Sequence, residues 1–317
     1  MTTPGNPRVA HANEQNRSVP APSDGAPAIS VVIVNYKTYA ELDECLASLL
    51  PAPASNREVI VVDHSSSTRD LERLSAKFPE IRTAPTQGNP GFSAGINAGA
   101  RLARGRHLLI LNPDTRMRPG AIDAMAAYLD AHADTAVVGA RVEDPGGTVQ
   151  RSARRFPTML TGLAGRSSLV TRLWPGNPLS RRDTLADATT IAPREVDWVA
   201  GSCMAVSADA FRHVGGMDEQ FFLYWEDADL GKRLKEAGWK TIYLPSAVVV
   251  HGVGRSRRHA RALSVRAFHR SAYLYFRKHR AGRFRAISLP VAWAALCGRM
   301  SLMLVAQAVT RRDWSER

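Results

Sequence analysis

The chain has 317 residues, 44% of them hydrophobic and 22% charged. This profile suits one large globular domain with appendages and excludes a fibrous or wholly disordered chain. The net charge of +13 lies at one end: residues 1–250 carry 27 Lys and Arg against 27 Asp and Glu, whereas residues 251–317 carry 15 against 2. Cys45, Cys203 and Cys297 are odd in number, far apart and without metal spacing, so they read as buried thiols in a reducing, cytoplasmic compartment and not as a disulfide framework.

Residues 1–28, rich in Pro, Asn, Ser and Gly with no apolar core, read as a disordered leader and not a signal peptide. From Ile29 the pattern becomes α/β. Ile29–Asn35 is a β-branched run typical of a strand buried on both faces. Helical spacing follows over Ala40–Leu50 through Leu42, Cys45, Leu46 and Leu49. Glu58–Asp63 reads as a second buried strand, Leu71, Leu74 and Phe78 mark a helix, and a short strand lies near Ile81. A glycine-punctuated turn then opens a helix at Ala94–Ala103, before a strand at His107–Leu111 and a helix at Gly120–Ala131. Strands and helices alternating at this spacing predict a mainly parallel, Rossmann-like doubly wound sheet flanked by helices.

The stretch Gln150–Pro193, rich in Arg, Ser, Thr and Pro, reads as a long connection over the site. Regular pattern returns at Val196–Val206, at a helix over Glu226–Ala237 and at Lys240–Val250. Residues 29–254 thus form the expected α/β unit. Residues 255–317 form a basic and apolar helical extension, with Phe268, Tyr273, Tyr275 and Phe276 among its arginines and an apolar run from Ile287 to Val309 broken by Pro290, Gly298 and Arg299. No stretch of 18 apolar residues is uninterrupted, which argues against a simple membrane span. The extension fits either an anionic membrane surface or a helical cap on the catalytic unit.

Ligands of doubly wound sheets bind beyond the carboxyl ends of the strands, so the polar residues there carry information. Asp63 could accept hydrogen bonds from a base or ribose, or could cap the next helix. Asn89–Gly99 (NPGFSAGINAG) lets backbone approach a phosphate at a helix N-terminus, although close helix packing explains the same glycines. Asp114, in Asn112-Pro113-Asp114, suits a hard divalent cation that also holds phosphates, or an Asx-turn. His251, ending VVVH, could be a metal ligand or a structural histidine.

LYWEDADLGKRL holds three carboxylates with different surroundings. Asp229 has Lys232 and Arg233 at helical spacing and so a local ion pair. Glu226 suits the helix terminus. Asp227 shares the stripe of Leu223, Leu230 and Leu234 without a local cation, which makes it the candidate for chemistry.

In their order, VVDHSS, NPGFSAGINAG, LNPDT, VAGSCMAV and GGMDEQFFLYWEDADLGKRLKEAGWKTIYLPSAVVVHGVGRS resemble the family 2 glycosyltransferases. The likeness spans about residues 29–280 and is strongest to the rhamnosyltransferase-type branch that builds bacterial surface polysaccharides. The resemblance implies a GT-A fold and an inverting transferase, with Asp227 as general base. It implies a donor site of Asp63, Asn35, Asn89, Gly91, Gly95, Asn97 and Asn112, and Asp114 with His251 holding Mg²⁺ or Mn²⁺ on the donor diphosphate. Trp198, Gly201 and Glu226 would either lie on the acceptor side or support the residues that touch the ligands. In this family Asn112 replaces the first acid of an Asp-x-Asp. The implied donor is dTDP-L-rhamnose, with UDP-galactofuranose or another nucleotide hexose as the alternative. The implied acceptor is a polyprenyl-diphosphate-linked or growing glycan at the inner face of the plasma membrane. A non-catalytic sugar-nucleotide-binding homologue is the further alternative. No nucleic-acid partner is implied.

Overall fold

The computed structural model describes residues 27–50, 57–158, 174, 185–186, 188–252, 261–280 and 285–315. Most of the expected leader and parts of the Gln150–Pro193 stretch and of the basic extension therefore lie outside the described residues. At the leader's end Ala28 already belongs to the fold, buried with its carbonyl accepting a bond from His107 N at 3.1 Å.

Four strands, β1 (Ile29–Asn35), β2 (Arg57–Asp63), β3 (Arg82–Pro85) and β4 (His107–Leu111), form the parallel half of one sheet in the order β3-β2-β1-β4. Their near-continuous apolar runs are explained by alternation into two cores. Val31, Ile33, Val59, Val61, Leu109 and Leu111 face one core, closed by α1 (Tyr39–Leu49) and α4 (Ala121–Ala131). Val32, Val34, Ile60, Val62, Leu108 and Ile110 face the other, closed by α3 (Phe92–Leu102). On the first face lies α2 (Thr68–Lys77), capped by Ser67 and not by Asp63.

The sheet continues through β10 (Cys203–Ser207), antiparallel between β4 and β6 (Thr135–Glu143), then through β11 (Lys240–His251), parallel to β6, to the short edge strand β5 (Thr115–Met117). The mainly parallel sheet is thus a mixed one, its antiparallel members being β10, β5 and β8 (Arg194–Val196), which pairs with β11. The regular stretch expected at Val196–Val206 is divided. Its first part splits into β8 and β9 (Trp198–Val199), β9 pairs with β7 (Ala153–Arg154) in a separate ribbon, and a turn at Gly201-Ser202 leads into β10. Helices α5 (Ala208–His213) and α6 (Glu226–Glu236) complete the unit.

Two further helices follow, α7 (Arg261–His279) and α8 (Arg285–Ser315). α7 docks against the start of α6. Phe221, Ala228, Leu274, Tyr275 and Phe276 form a small core of their own, and Ser271 Oγ donates to the Leu223 carbonyl at 2.9 Å. Asp229, fully buried, binds Arg233 at 2.8 Å as the sequence suggests, but Lys232 turns to Glu236 instead. The missing partners come from α7: Lys278 at 2.8 Å and His279 at 2.7 Å. Burial would raise the Asp229 pKa, but the His279 bond and the charges of Arg233 and Lys278 outweigh it, bringing the group from 3.8 to about 2. α8 packs on α7 through Trp293 against Tyr273 and through Ala292 and Leu296. Its Ile287, Val291, Leu302 and Val305 are exposed. Despite the interruptions at Gly298 and Arg299, Ala286–Val305 is long and apolar enough to cross a membrane by length and composition.

The Asp229 cluster fixes α7 to the catalytic unit. Asp229→Asn leaves buried cations without their counter-charge and should cost about 3 kcal/mol or more, seen in chemical denaturation and as faster amide exchange in α7. Because the folded-state pKa is depressed, the contribution is fully present above about pH 4 and lost as pH falls towards 2.

Candidate functional site

Parallel pairing in register sets Asn35 and Asp63 side by side at the strand ends. Asn35 Nδ2 donates to Asp63 Oδ1 at 2.6 Å and to Ser65 Oγ at 3.3 Å, while Asn35 Oδ1 accepts from Thr38 N and Oγ1. The Asn35 amide is therefore spent inside the protein. Its expected place in the donor site becomes a positioning one, holding Asp63 and the turn into α1. Asp63 also accepts from Tyr39 OH at 3.0 Å and Ser65 N at 3.3 Å. Burial, joined by the Asp63 charge, pushes the Tyr39 phenol up to about 12, so it remains a donor.

The glycine-rich turn divides into shaping and packing residues. Gly91 has φ +103°, and a Cβ there would meet the Phe222 carbonyl oxygen at 2.6 Å, which only glycine avoids. Asn89 Oδ1 accepts from Gly91 N at 3.0 Å and closes the turn. Gly95 has a packing role: a Cβ would come within 2.7 Å of His64 Nε2 and Val34, so it lets α3 lie close on the sheet. Asn97 is tied into the protein by hydrogen bonds. It donates to the Met217 carbonyl and Glu219 and accepts from Met217 N, tying α3 to the 217–219 loop. His64 underlies the turn, with Nδ1 2.6 Å from Thr86 Oγ1 and Nε2 3.2 Å from the Gly91 carbonyl. Burial lowers its pKa.

At the far strand ends, pairing of β5 with β11 sets Thr115 opposite His251. Asp114 Oδ1 lies 3.1 Å from His251 Nε2, and Asn112 Nδ2 is 3.5 Å from the same nitrogen. Gln150 orients the imidazole, its Oε1 3.3 Å from Nδ1 and its Nε2 donating to the His251 carbonyl at 3.0 Å. Two ligand atoms bound at about 2.1 Å and at right angles on one ion lie about 3 Å apart, so the Asp114–His251 spacing fits adjacent ligands of a divalent cation. Among the described residues no cluster of three or more His, Cys, Asp or Glu forms. The remaining positions would fall to phosphate oxygens and water, as is usual for Mg²⁺.

Asp227 lies in the first turn of α6. Gly201 N donates to Oδ2 at 3.0 Å and Ala228 N to Oδ1 at 2.8 Å. The next carbonyl, Ser202, accepts from Asn112 N at 3.0 Å and Thr115 Oγ1 at 3.3 Å. One dipeptide therefore links the Asp227 carboxylate to the segment that carries Asp114. Burial raises the Asp227 pKa, against the two N–H bonds and the charge of Arg154. Glu226 opens α6, at the helix terminus the sequence suggests for it. It is buried, its Oε2 has no hydrogen-bond partner among the described residues, and burial with the charges of Asp227 and Asp229 pushes its pKa well up. Trp198 donates Nε1 to the Arg155 carbonyl at 2.8 Å and carries the Arg154 guanidinium over its ring at 5.3 Å. Arg154 and Gln150 were hidden in a stretch that reads as loop. The signal available was the arginine cluster in QRSARRFP, a pattern without periodicity.

A family model described as "Glycosyltransferase like family 2" matches residues 27–285. The N-acetylglucosaminyl-diphospho-decaprenol L-rhamnosyltransferase of Mycobacterium tuberculosis is 32% identical over 288 residues, covering 86% of this chain and 91% of its own. The rhamnosyltransferase WbbL of Escherichia coli is 25% identical over 175 residues, 55% of this chain and 62% of its own. Among solved structures, the mannosyltransferase PcManGT of Pyrobaculum calidifontis, in complex with GDP-Man and Mn²⁺, superposes with TM-score 0.54 at 14% identity, over 95% of this chain and 87% of that one. GalNAc-T7 with UDP, GalNAc and Mn²⁺ also gives 0.54, at 17% identity over 72% and 44%. The order of strand-end residues, the fold and the match over most of the chain agree: the protein is a glycosyltransferase of GT-A fold and belongs to glycosyltransferase-like family 2.

Proposed function

We propose that the enzyme is an inverting, cation-dependent hexosyltransferase that moves L-rhamnose from dTDP-L-rhamnose to a polyprenyl-diphosphate-linked or growing glycan acceptor. The observation that carries the mechanism is the Gly201-Ser202 joint, which couples the Asp227 carboxylate to the Asn112–Thr115 segment. The choice of sugar and lipid-linked acceptor is supported by the mycobacterial relative, whose likeness runs over 91% of its own length.

Asp227 Oδ takes the proton of an acceptor hydroxyl as that oxygen bonds to the anomeric carbon. The bond from that carbon to the diphosphate oxygen breaks, and its electron pair departs with the nucleoside diphosphate. Attack from the face opposite the leaving group inverts the centre. Gly201 N–H and Ala228 N–H aim the carboxylate, while partial burial keeps it more basic than a solvated aspartate. Asp63, braced by Asn35 and Tyr39, offers a fixed acceptor to the nucleoside, and the Asn89–Gly91 turn shapes the wall beside it. Asp114 and His251 would hold Mg²⁺ or Mn²⁺, which when bound neutralises the departing diphosphate. The exposed apolar face of α8 and the excess of basic residues after residue 250 suit peripheral attachment to an anionic inner leaflet.

Asp227→Asn should lower kcat by about 10²–10⁴-fold with donor affinity within twofold of wild type; near wild-type turnover would show that another group is the base. The acid limb of the kcat–pH profile should lie above the ordinary carboxylate range, because Asp227 must be deprotonated to act and its pKa is raised. With a panel of nucleotide sugars, Mg²⁺ and a lipid-linked acceptor, dTDP-L-rhamnose should be consumed, and EDTA should abolish the turnover. Consumption of UDP-galactofuranose alone would reassign the donor, and no consumption of any nucleotide sugar would remove the transferase reading. Asp114→Asn should weaken Mn²⁺ binding by at least tenfold, read by Mn²⁺ electron paramagnetic resonance without turnover.

A further inference from the structure

The ribbon formed by β7 and β9 has no part in the chemistry so far, yet it leads directly into the turn that holds Asp227. Ala200 N donates to the Ser152 carbonyl at 2.9 Å and Asp197 N to the Arg154 carbonyl at 3.1 Å, so residues 152–154 run alongside 197–200. Gly201, whose N–H grips Asp227, is the next residue. On the other strand, three arginines fall within five positions: Arg151, Arg154 and Arg155. We propose that this arginine run, with Arg154 at its centre, is an anion-binding subsite for the acceptor, taking a diphosphate attached to the sugar whose hydroxyl Asp227 deprotonates. The proposal rests on Asp227 being the base.

Arg154 is held in place. Its guanidinium lies over the Trp198 ring and its Nε donates to the Arg151 carbonyl at 3.0 Å, so little side-chain freedom remains to be lost when an anion binds. Trp198, anchored in turn to the Arg155 carbonyl, is the platform. Beside the run, Lys232 and Lys235 lie over the Phe156 ring at 5.2 and 5.7 Å. The acids close by are engaged, Asp197 with Lys235 at 2.7 Å and with Phe156 N at 2.9 Å, Glu236 with Lys232 at 2.9 Å. Guanidinium groups match phosphate oxygens in a paired fork.

A cation beside a general base has a cost, because it stabilises the carboxylate and makes it a weaker base. The charge of Arg154 acts on Asp227 in this sense. An acceptor diphosphate on Arg154 would neutralise that field and return basicity to Asp227 as the hydroxyl arrives. The donor diphosphate is assigned above to the Asp114–His251 pair, which the Ser202 carbonyl links to the same turn through Asn112 N. Two separate phosphate-binding ends fit a reaction in which donor and acceptor both carry a diphosphate.

The test uses the full chain with two probes that need no turnover, a short-chain prenyl diphosphate and the matching neutral prenyl alcohol, followed by calorimetry. The diphosphate should bind at least tenfold tighter than the alcohol, and Arg154→Gln should remove that preference, with Arg154→Lys restoring part of it. The double variant Arg151→Gln/Arg155→Gln, at exposed positions, should weaken the diphosphate severalfold without loss of thermal stability. In turnover, Arg154→Gln should raise KM for a sugar acceptor carrying a diphosphate about tenfold or more, and leave KM for the donor and for a neutral alkyl glycoside within twofold. Equal losses on charged and neutral acceptors would overturn the subsite, since Arg154 would then act only through Asp227. A rise confined to the donor KM would overturn it by placing Arg154 on the nucleotide. Equal wild-type affinity for diphosphate and alcohol would also overturn it. Failure of Asp227 as base would appear separately, as retained turnover in Asp227→Asn with the Arg154 binding difference intact.

Discussion

The site depends on two consecutive peptide groups, Gly201 and Ser202. The first donates its N–H to Asp227 and the second offers its carbonyl to Asn112 and Thr115. Neither bond is strong alone, about 0.5–1.5 kcal/mol for a neutral pair and about 1.5–3 where one partner is charged. Their value is positional. Asp227 belongs to α6 and Asp114 to the end of β4, elements separated by more than a hundred residues of chain. The turn between β9 and β10 is where they are brought to a common reference.

The approach to Asp227 is paid for in backbone strain. Tyr224 and Trp225, neither of them glycine, have φ of 69° and 71° immediately before α6, and such residues cost about 1–3 kcal/mol each. The compensation comes from α7. The Trp225 ring lies 5.4–5.6 Å from the rings of Phe268, Tyr275 and Phe276, and aromatic pairs contribute about 0.5–1.5 kcal/mol each beyond the area they bury. Ser271 holds the Leu223 carbonyl, and Lys278 and His279 complete the Asp229 cluster. These magnitudes are comparable. The basic extension therefore serves first as the brace of the helix that carries Asp227, while α8 leaves Ile287, Val291, Leu302 and Val305 exposed.

The parallel half of the fold was legible because each strand there is an uninterrupted apolar run and each helix has a clean stripe. The two cores demand that pattern of residues such as Val31 to Val34. The antiparallel insertion of β10 was not legible, since a buried strand reads the same in either direction. At the site, the singling out of Asp227 rested on Asp229 having local cations, and Arg233 does bind it. Lys278 and His279 could not be read from local spacing, because they lie about fifty residues away. Asn35, Gly95 and Asn97 show the opposite limit of local reading. Motif position suggests ligand contact, whereas the hydrogen bonds and packing show each already committed within the protein. Polar residues in a motif include those that hold the contacting ones in place, and only a full account of their donors and acceptors separates the two.

Glu226 and Asp229 flank Asp227, the proposed base, and solve the same problem in opposite ways. Asp229 is buried with three cationic partners and stays ionised, its pKa brought to about 2. Glu226 is buried with an unpartnered oxygen, and its pKa is pushed well up, which favours a neutral carboxyl. Were both ionised without partners, three carboxylates in four residues would repel one another across a low-dielectric helix end and drive Asp227 towards protonation. Neutralising one acid by burial and the other by ion pairing leaves Asp227 as the acid whose charge is governed by its own surroundings. Those are its burial, which raises the pKa, and two backbone N–H groups and the field of Arg154, which oppose it. The sequence Glu-Asp-Ala-Asp is thus a single electrostatic unit, in which the outer acids are disarmed and the middle one keeps the freedom to exchange a proton that its proposed role requires.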